Sequence, residues 1–378
     1  MAKRALFCVT LLLLAEQLVT FRFEVELIKQ LSRKDKSANC LVSPFQVVQS
    51  LSFLYLGKEG RKDYTLAKAL QIVGRGHDKI TSYFRETQKE ALGQNFVMAN
   101  RVYFSSDFKI PDHMKSVSGN ISVEVENMNF SDTKKASTDI KKWLSKMANK
   151  SSKLFGKDHF NNVTQIVAVQ GLAVTSMWKH RFLSQSKRSF LIDRREMKPL
   201  QQKVTMMYTL ANFESFNNDE AQGIFIPFSN SDIGMMVLIP KSHITPLNVM
   251  QQLDKYLLMK MRKAQETHLF LPMFNIQETM DLNGVLEAMG IKNLFSSLNN
   301  PDAAKNSGEV TKDSIAMHFE QLSLLVVKPN RLLLESEYAS DGDQKTFEVN
   351  RPFVFLIKDQ KTIYMAGRVD SIDDLKRG

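Results

Sequence analysis

Cysteine is scarce in this chain, which has two among its 378 residues. Cys8 lies in an N-terminal apolar segment typical of a signal peptide, so Cys40 is the single thiol expected in the mature protein. An internal disulfide is then excluded, and the hydrophobic core has to hold the fold together. Because Cys40 has no second cysteine at a metal-binding or redox spacing, we expect it to be a buried structural residue.

The common motifs of enzymes and cofactor sites are also missing. The seven histidines are scattered, with no HExxH motif and no Cys/His cluster, which argues against a metal site. The chain has no GxSxG elbow, no GxxxxGK(S/T) phosphate loop and no GxGxxG after a strand. A catalytic pair of carboxylates stays an open alternative, because a sequence alone does not show which two acidic residues lie close together. We therefore expect neither enzymatic activity nor a cofactor.

Linkers and long apolar runs are absent as well. No proline- or glycine-rich stretch or repeat divides the chain, and 43% of its residues are hydrophobic, enough for a large core. The apolar run Ala5–Ala15 follows the basic pair Lys3-Arg4 and is too short for a membrane helix, as in a secretory signal. We predict a signal peptide at 1–20, cleaved between 15 and 20, and a single secreted domain at 21–378 without membrane contact. An N-terminal anchor or a buried helix is the alternative.

Acidic residues are too few to balance the basic ones, and the formal net charge is +11. In a secreted protein this excess favours polyanionic surfaces, and we expect no nucleic-acid partner. Lysines recur near helical spacing between 142 and 157, and Trp143 marks the opposite apolar face. The plain interpretation is an amphipathic helix with a solvated lysine face. The alternative is a site for a glycosaminoglycan-like polyanion at Lys142, Lys146 and Lys150.

Asn-x-Ser/Thr sequons occur four times, which is a signal for glycosylation when a signal peptide precedes them. We predict an extracellular glycoprotein that exposes this part of the chain. The candidate acceptors are Asn120, Asn129, Asn149 and Asn162.

Hydrophobic periodicity predicts a chain that is rich in helices first and in strands later. Helical patterns cover 22–60, 63–92, 136–150 and 282–289. Strands are predicted at 95–104, 163–174, 223–228, 235–240, 268–274 and 347–357, and the part at 353–357 is expected to form a closing hairpin with 362–366. About twenty residues without periodicity follow the apolar run that ends at Val327. A loop of that length in a compact domain is usually functional.

A series of short motifs runs along the chain in a fixed order. They read NCLVSP at 39–44, LYLGKEG at 54–60, LPMF at 271–274, LEAMGI at 286–291, LFS at 294–296, RPFVFLI at 351–357 and AGRV at 366–369. Trp143, Trp178 and His318 fall at matching intervals. This ordered set resembles the serpin family along nearly the whole mature chain.

The resemblance to serpins implies an α+β fold with three β-sheets, about nine helices and an exposed reactive loop at about 326–346. In inhibitory serpins a serine or cysteine protease cleaves this loop, whose first half then inserts as a new central strand of the main sheet. The candidate reactive bond lies at Ser340, Asp341 and Gly342, with an extracellular serine protease as the partner.

Two further features are carried over from the resemblance. The cluster beneath the region where the sheet opens corresponds to Ser43, Gln170 and His318, with Gln170 in place of the family's asparagine. Ser176 likewise replaces a glycine two residues before Trp178. These departures put the opening of the sheet in doubt and leave the fold untouched.

The hinge at the start of the loop has an unusual composition. Counted from His318, the segment from Val326 to Leu334 includes Lys328, Pro329, Asn330 and Arg331, where inhibitory serpins carry small residues. Proline cannot donate to a central ladder, and either register of an inserted strand turns a cation inward. Burying an unpaired cation costs several kcal/mol. We therefore expect insertion to be slow or incomplete.

Three functions follow as hypotheses. The first is a secreted, monomeric serpin-like protein that does not trap proteases and is instead cut as a substrate. The second is a working inhibitor of a serine endopeptidase with an unusual hinge. The third is a carrier or polyanion-binding serpin. The combination of signal, sequons and divergence resembles secreted serpins of insect accessory glands, which secrete seminal fluid.

Overall fold

The computed structural model describes residues 22–34, 39–57, 64–145, 164–192, 200–291, 316–336 and 345–372. The predicted signal peptide and the candidate reactive bond lie outside these ranges. Nine helices occur within them: α1 Arg22–Lys34, α2 Pro44–Leu56, α3 Tyr64–Ala69, α4 His77–Leu92, α5 Asp112–Ile121, α6 Thr133–Leu144, α7 Pro246–Gln251, α8 Leu253–Leu257 and α9 Asn283–Ala288. None of these helices is long and apolar enough to cross a membrane.

The same ranges contain fourteen strands. They are β1 Cys40–Val42, β2 Phe96–Ser105, β3 Glu124–Met128, β4 Thr164–Thr175, β5 Ser184–Ile192, β6 Leu200–Asn217, β7 Ala221–Pro227, β8 Gly234–Pro240, β9 Arg262–Pro272, β10 Phe274–Asp281, β11 Ala316–Val327, β12 Thr346–Glu348, β13 Phe353–Lys358 and β14 Ile363–Val369.

The strands form two hydrogen-bonded networks. Five of them make one sheet in the order β10-β11-β4-β2-β3, and the other nine follow β1-β14-β13-β8-β7-β6-β9-β12, with β5 paired to β6. Strand β6 joins sheets that were expected to be separate, because residues 200–208 pair with β5, 206–215 with β9 and 214–217 with β7. The predicted α+β class, with its helices and several sheets, is confirmed.

Alternate residues of β4 separate the core into two parts. Ile166 and Ala168 belong to the large cluster that contains α2, whereas Val167 and Val169 belong to a smaller cluster with Trp143 of α6. Successive side chains of a strand point to opposite faces, so α2 and α6 cover the two faces of the five-stranded sheet. Helix α2 is buried almost all round and begins at Pro44, whose missing N–H costs nothing in a first turn.

Several predicted elements are confirmed, and two strands needed correction. The single strand predicted at 347–357 is wrong: β12 and β13 are separate strands, the first parallel to β9 and the second antiparallel to β8 and β14. Pro352 lies in the break and has no N–H for a ladder. The strand predicted at 268–274 covers the end of β9 and the start of β10, which Met273 divides.

The helical pattern predicted at 22–60 consists of α1 and α2 with the short strand β1 between them. Cys40 lies in β1, where it pairs with Arg368 of β14. Its thiol is buried, as expected.

Candidate functional site

Strands β4 and β11 are neighbours inside the five-stranded sheet, and they run parallel. Their register extends from Met317 opposite Ile166 to Val326 opposite Thr175. One further ladder bond follows, from the Ser176 N–H to the Val326 carbonyl at 3.1 Å. The candidate loop leaves the sheet directly after this bond, at Lys328. A new central strand formed by the loop would have to separate this pair.

Four residues close the sheet just beyond the last ladder bond, and we call them the hinge clasp: Ser176, Trp178, Lys328 and Asn330. The Lys328 N–H donates to the Ser176 hydroxyl at 3.2 Å. The Lys328 carbonyl accepts from that hydroxyl at 3.0 Å and from the Trp178 indole N–H at 2.8 Å. Side chains thus continue the pairing of the two strands after the backbone ladder has ended.

The side-chain amide of Asn330 makes the outermost part of the hinge clasp. Its Oδ1 accepts from the Trp178 backbone N–H at 3.1 Å, and its Nδ2 donates to the Trp178 carbonyl at 2.9 Å. A side-chain amide offers the same donor and acceptor pair as a peptide group. Asn330 therefore pairs with Trp178 as the backbone of an adjacent strand would.

Trp178 is a rigid anchor for this pairing. Its side chain is 1% exposed and packs edge-on against the rings of Phe182 and Phe228, with centroid distances of 5.7 and 5.4 Å. The Ser229 hydroxyl donates to the same Trp178 carbonyl, at 2.8 Å. Edge-to-face aromatic pairs add to the burial energy and fix the orientation of the ring. The hinge clasp is thus attached to the core.

The segment after the hinge clasp is held at a second place. The Gln185 N–H of β5 donates to the Leu334 carbonyl, and the Ser336 N–H donates to the Gln185 carbonyl, each at 3.1 Å. Leu333 is half-buried against the core, whereas Leu332 is fully exposed and Leu334 is 85% exposed. The described part of the loop is therefore fixed outside the sheet, along β5.

The hinge residues predicted from the sequence lie on this segment with different exposures. Lys328, Asn330 and Arg331 are exposed, and Pro329 is half-buried. Both cations reach water in this arrangement, so neither pays the cost of burial. Insertion would change that for at least one of them.

The cluster beneath the sheet is built differently from the sequence expectation. The Ser43 N–H donates to Gln321 Oε1 at 2.6 Å, and Gln321 Nε2 donates to the Ser43 carbonyl at 2.9 Å. His318 lies instead beside Asn283, with 3.3 Å between His318 Nδ1 and Asn283 Nδ2. Gln321 thus occupies the place beside Ser43 that the motif intervals gave to His318. The hinge positions were assigned by counting from His318. When the count starts from Gln321 instead, each hinge position falls three residues later in the chain.

Gln170 lies opposite Gln321 in the register of β4 and β11, so the structure brings Ser43 and Gln170 to the same region. Gln170 Nε2 donates to the Ser50 hydroxyl at 2.9 Å, and that hydroxyl donates to Asn100 Oδ1 at 2.8 Å. These hydrogen bonds connect β4 to α2 and β2. Gln170 Oε1 is buried without a hydrogen-bond partner among the described residues, so this network is only partly satisfied.

The remaining candidate residues take no part in the hinge clasp. Asn120, Asn129 and Lys142 have exposed side chains on α5, after β3 and on α6. The other residues lie outside the described part of the chain: Ser340, Asp341, Gly342, Lys146, Lys150, Asn149 and Asn162.

Comparison with known proteins identifies the family to which this chain belongs. A family model described as "Serpin (serine protease inhibitor)" matches residues 19–372. The chain belongs to the serpin family. Among its relatives, leukocyte elastase inhibitor A of Mus musculus is 23% identical, over 92% of this chain and 97% of the relative. Neuroserpin of Gallus gallus is 24% identical, over 91% and 89%. The family consists of protease inhibitors rather than catalytic enzymes.

Solved serpin structures match the fold over almost its full length. Serpin48 of the insect Tenebrio molitor superposes with a TM-score of 0.78 at 21% identity, covering 94% of this chain and 97% of that one. Native protease nexin-1, solved with heparin, gives a TM-score of 0.76 at 21% identity, covering 95% and 99%. At these identities the likeness concerns the fold.

Sequence reasoning noted Ser176 and Trp178 but missed their partnership with Lys328 and Asn330. Ser176 was visible only as a replacement of glycine, and nothing local indicates that its hydroxyl reaches a residue 152 positions away. The available signal for Asn330 was a side-chain amide directly after a proline, at the start of the hinge.

The hinge clasp makes a prediction for local opening. In the Asn330→Ala variant both hydrogen bonds to Trp178 are lost, which removes about 1–2 kcal/mol of local stability. We expect hydrogen exchange of the Trp178 amide to become about tenfold faster, as measured by mass spectrometry of the peptide around residues 176–183. Leu332→Ala is the matched control, because its fully exposed side chain should contribute nothing. Equal exchange in the two variants would contradict the assignment.

Proposed function

We propose that this serpin does not trap proteases and is cut in its loop as a substrate. The pairing of the Asn330 side chain with the Trp178 backbone carries the proposal, because insertion of the hinge must first break it. The Lys328 bonds to Ser176 and Trp178 would have to break as well. Inhibition depends on insertion that is faster than release of the cleaved loop, so a hinge held in place favours release.

The chemistry of the inserted state adds to this barrier. Pro329 would leave one position of the new ladder without a donor. One register would turn Arg331 into the sheet and the other would turn Lys328 into it, and each cation is now solvated. The residue beside Ser43 is Gln321. The segment from Gln321 to Arg351 is three residues shorter than the segment from His318 to Arg351, so less chain is available for the inserted strand and its connection.

The partner in this proposal is an extracellular serine protease that cuts near Ser340, Asp341 and Gly342. Secretion and glycosylation belong to the same proposal and are supported by the exposed side chains of Asn120 and Asn129. An accessory-gland setting in an insect stays a prediction of the sequence resemblance.

The test is incubation with a panel of serine proteases of different specificity, followed by denaturing electrophoresis. We expect the chain to be cut within 337–344 with no band at the summed mass of chain and protease. An inhibitory serpin treated with the same panel is the control for active protease. A covalent complex that survives denaturation would overturn the proposal and establish the second hypothesis, a working inhibitor.

Polyanion binding is a second candidate function, favoured by the surface of α6. The exposed charged side chains of this helix are Asp139 and three lysines: Lys134, Lys135 and Lys142. A cluster with this excess of one sign raises the local concentration of polyanions.

We expect the protein to be retained on a heparin column at moderate salt and to elute earlier when Lys142, Lys146 and Lys150 are all replaced by alanine. The exposed Lys203 on β6 provides the control, since Lys203→Ala removes one charge elsewhere. Equal shifts per charge in both variants would contradict a local site.

A further inference from the structure

A cavity of about 260 Å³ lies between α1, α2 and α4, on the side of the molecule where β13 turns into β14. Its walls are largely apolar and its volume is close to the lower end of the range for small-ligand sites. The apolar lining residues are Phe23, Val48, Leu70, Ile72, Ile80 and Phe84.

Three polar side chains line this cavity from the inside. Glu24 of α1 is 4% exposed, and Ser52 of α2 is 1% exposed. The Ser52 hydroxyl has no hydrogen-bond partner among the described residues. The Tyr83 hydroxyl is 2.9 Å from the hydroxyl of Thr362. A buried hydroxyl without a partner is costly in a dry cavity, so a ligand that supplies the missing bond is stabilised there.

The mouth of the cavity is basic. Arg75, Lys79 and Lys361 line it with exposed side chains. The other titratable groups that line the cavity are Arg75 from the loop before α4, Lys79 and Tyr83 from α4, and Lys361 from the turn between β13 and β14, where Asp359 also acts on Tyr83. Two acids therefore stand against three cations, and the mouth attracts anions.

Glu24 responds to its surroundings in a way that suits an acidic ligand. Burial raises the pKa of its carboxyl group to about 7, although its own backbone N–H and the charge of Arg75 act in the opposite direction. A protonated Glu24 can donate a hydrogen bond to a carboxylate, whereas an ionised one would repel it.

We propose that this cavity binds a small monocarboxylic acid with an apolar body, in the manner of a medium-chain fatty acid. The ligand carboxylate faces Arg75 and accepts hydrogen bonds from protonated Glu24 and from the Ser52 hydroxyl, while the chain lies among the apolar walls. Binding at neutral pH takes up a proton at Glu24. The site is independent of the hinge and of whether the protein inhibits proteases.

The test uses three probes with the same eight-carbon tail and different head groups: octanoate, octylamine and octanol. Titration calorimetry on the full chain should show that octanoate binds best, and about tenfold more tightly at pH 6 than at pH 8 because only the protonated form of Glu24 is competent. The Glu24→Gln variant should bind octanoate with this pH dependence lost. Arg75→Glu should weaken binding at least tenfold, and Lys203→Glu on β6 should leave it unchanged.

Arg75 is exposed, so its variant tests the site without disturbing the core, and unchanged thermal unfolding confirms this. Octylamine binding as tightly as octanoate would overturn the proposal. So would octanoate affinity that ignores Arg75→Glu, or an absence of octanoate binding to the unaltered chain at pH 6.

Discussion

Replacing Trp178 with alanine is expected to lower the free energy of unfolding by about 3–5 kcal/mol. The indole is buried, contacts two phenylalanine rings and donates its N–H to the Lys328 carbonyl at 2.8 Å. Its removal leaves a large cavity at the start of the hinge and leaves the Ser176 hydroxyl as the remaining donor to the Lys328 carbonyl. Urea unfolding followed by circular dichroism measures the loss.

Two variants separate packing from hydrogen bonding at Trp178. Trp178→Phe keeps most of the buried aromatic area and removes the hydrogen bond to the Lys328 carbonyl. The free energy of local opening around Lys328, measured by hydrogen exchange, should therefore fall by more than the free energy of global unfolding. Trp143→Phe is the matched control, because Trp143 is the other tryptophan and lies on α6 in the smaller core cluster, outside the hinge clasp. A hinge that opens equally in both variants would show that the indole N–H contributes nothing to the hinge clasp.

Replacing Glu24 with glutamine is expected to stabilise the protein at pH 8 by up to about 3 kcal/mol and to have a much smaller effect near pH 4. Burial raises the pKa of Glu24 from 4.5 to about 7, so the folded state holds this proton more tightly than the unfolded state does. The contribution of the neutral carboxyl is complete below about pH 4.5. It is lost as the pH rises toward 7, because ionisation in the folded state is then unfavourable.

The measurement is the free energy of unfolding of both proteins across this pH range. Glu26→Gln on the same helix is the control, because Glu26 is only half-buried and accepts a hydrogen bond from Gln30. A gain that is the same at every pH, or a gain of equal size at Glu26, would contradict the burial of an ionisable Glu24.

Much of the fold could be predicted from the sequence, because the evidence for it is local. A few adjacent residues are enough to indicate each of three elements: the Ser43-Pro44 start of α2, the apolar strand β4, and the closing hairpin of β13 and β14. The strand predicted at 347–357 failed for a tertiary reason. Its two halves pair with different strands in different directions, and no short window of sequence shows this.

The site could be predicted only in part. Its location and the poor fit of Lys328, Pro329 and Arg331 to an inserted strand follow from strand periodicity and charge. The hinge clasp and the Ser43–Gln321 pair depend on contacts between residues far apart in the chain, 152 and 278 positions respectively. Interval counting placed His318 beside Ser43, because a motif interval does not register a local shift of three residues.

The same limit applies to the cavity beside Glu24. Glu24 has the pattern of an ordinary polar residue on the first turn of a helix, yet it is buried and lines a cavity to which α2, α4 and the turn before β14 also contribute. Charge patterning along one helix contains no trace of this. Such a site becomes visible only when the elements are assembled.

The central claim is that the cut loop does not enter the sheet, and thermal unfolding of the loop-cleaved protein tests it most directly. The protein is cut within 337–344, the protease is inactivated, and the cut and intact forms are heated side by side. We predict similar unfolding temperatures, because the hinge clasp stays closed and β4 stays paired with β11. A cleaved form that stays folded at temperatures where the intact form has unfolded completely would contradict the account.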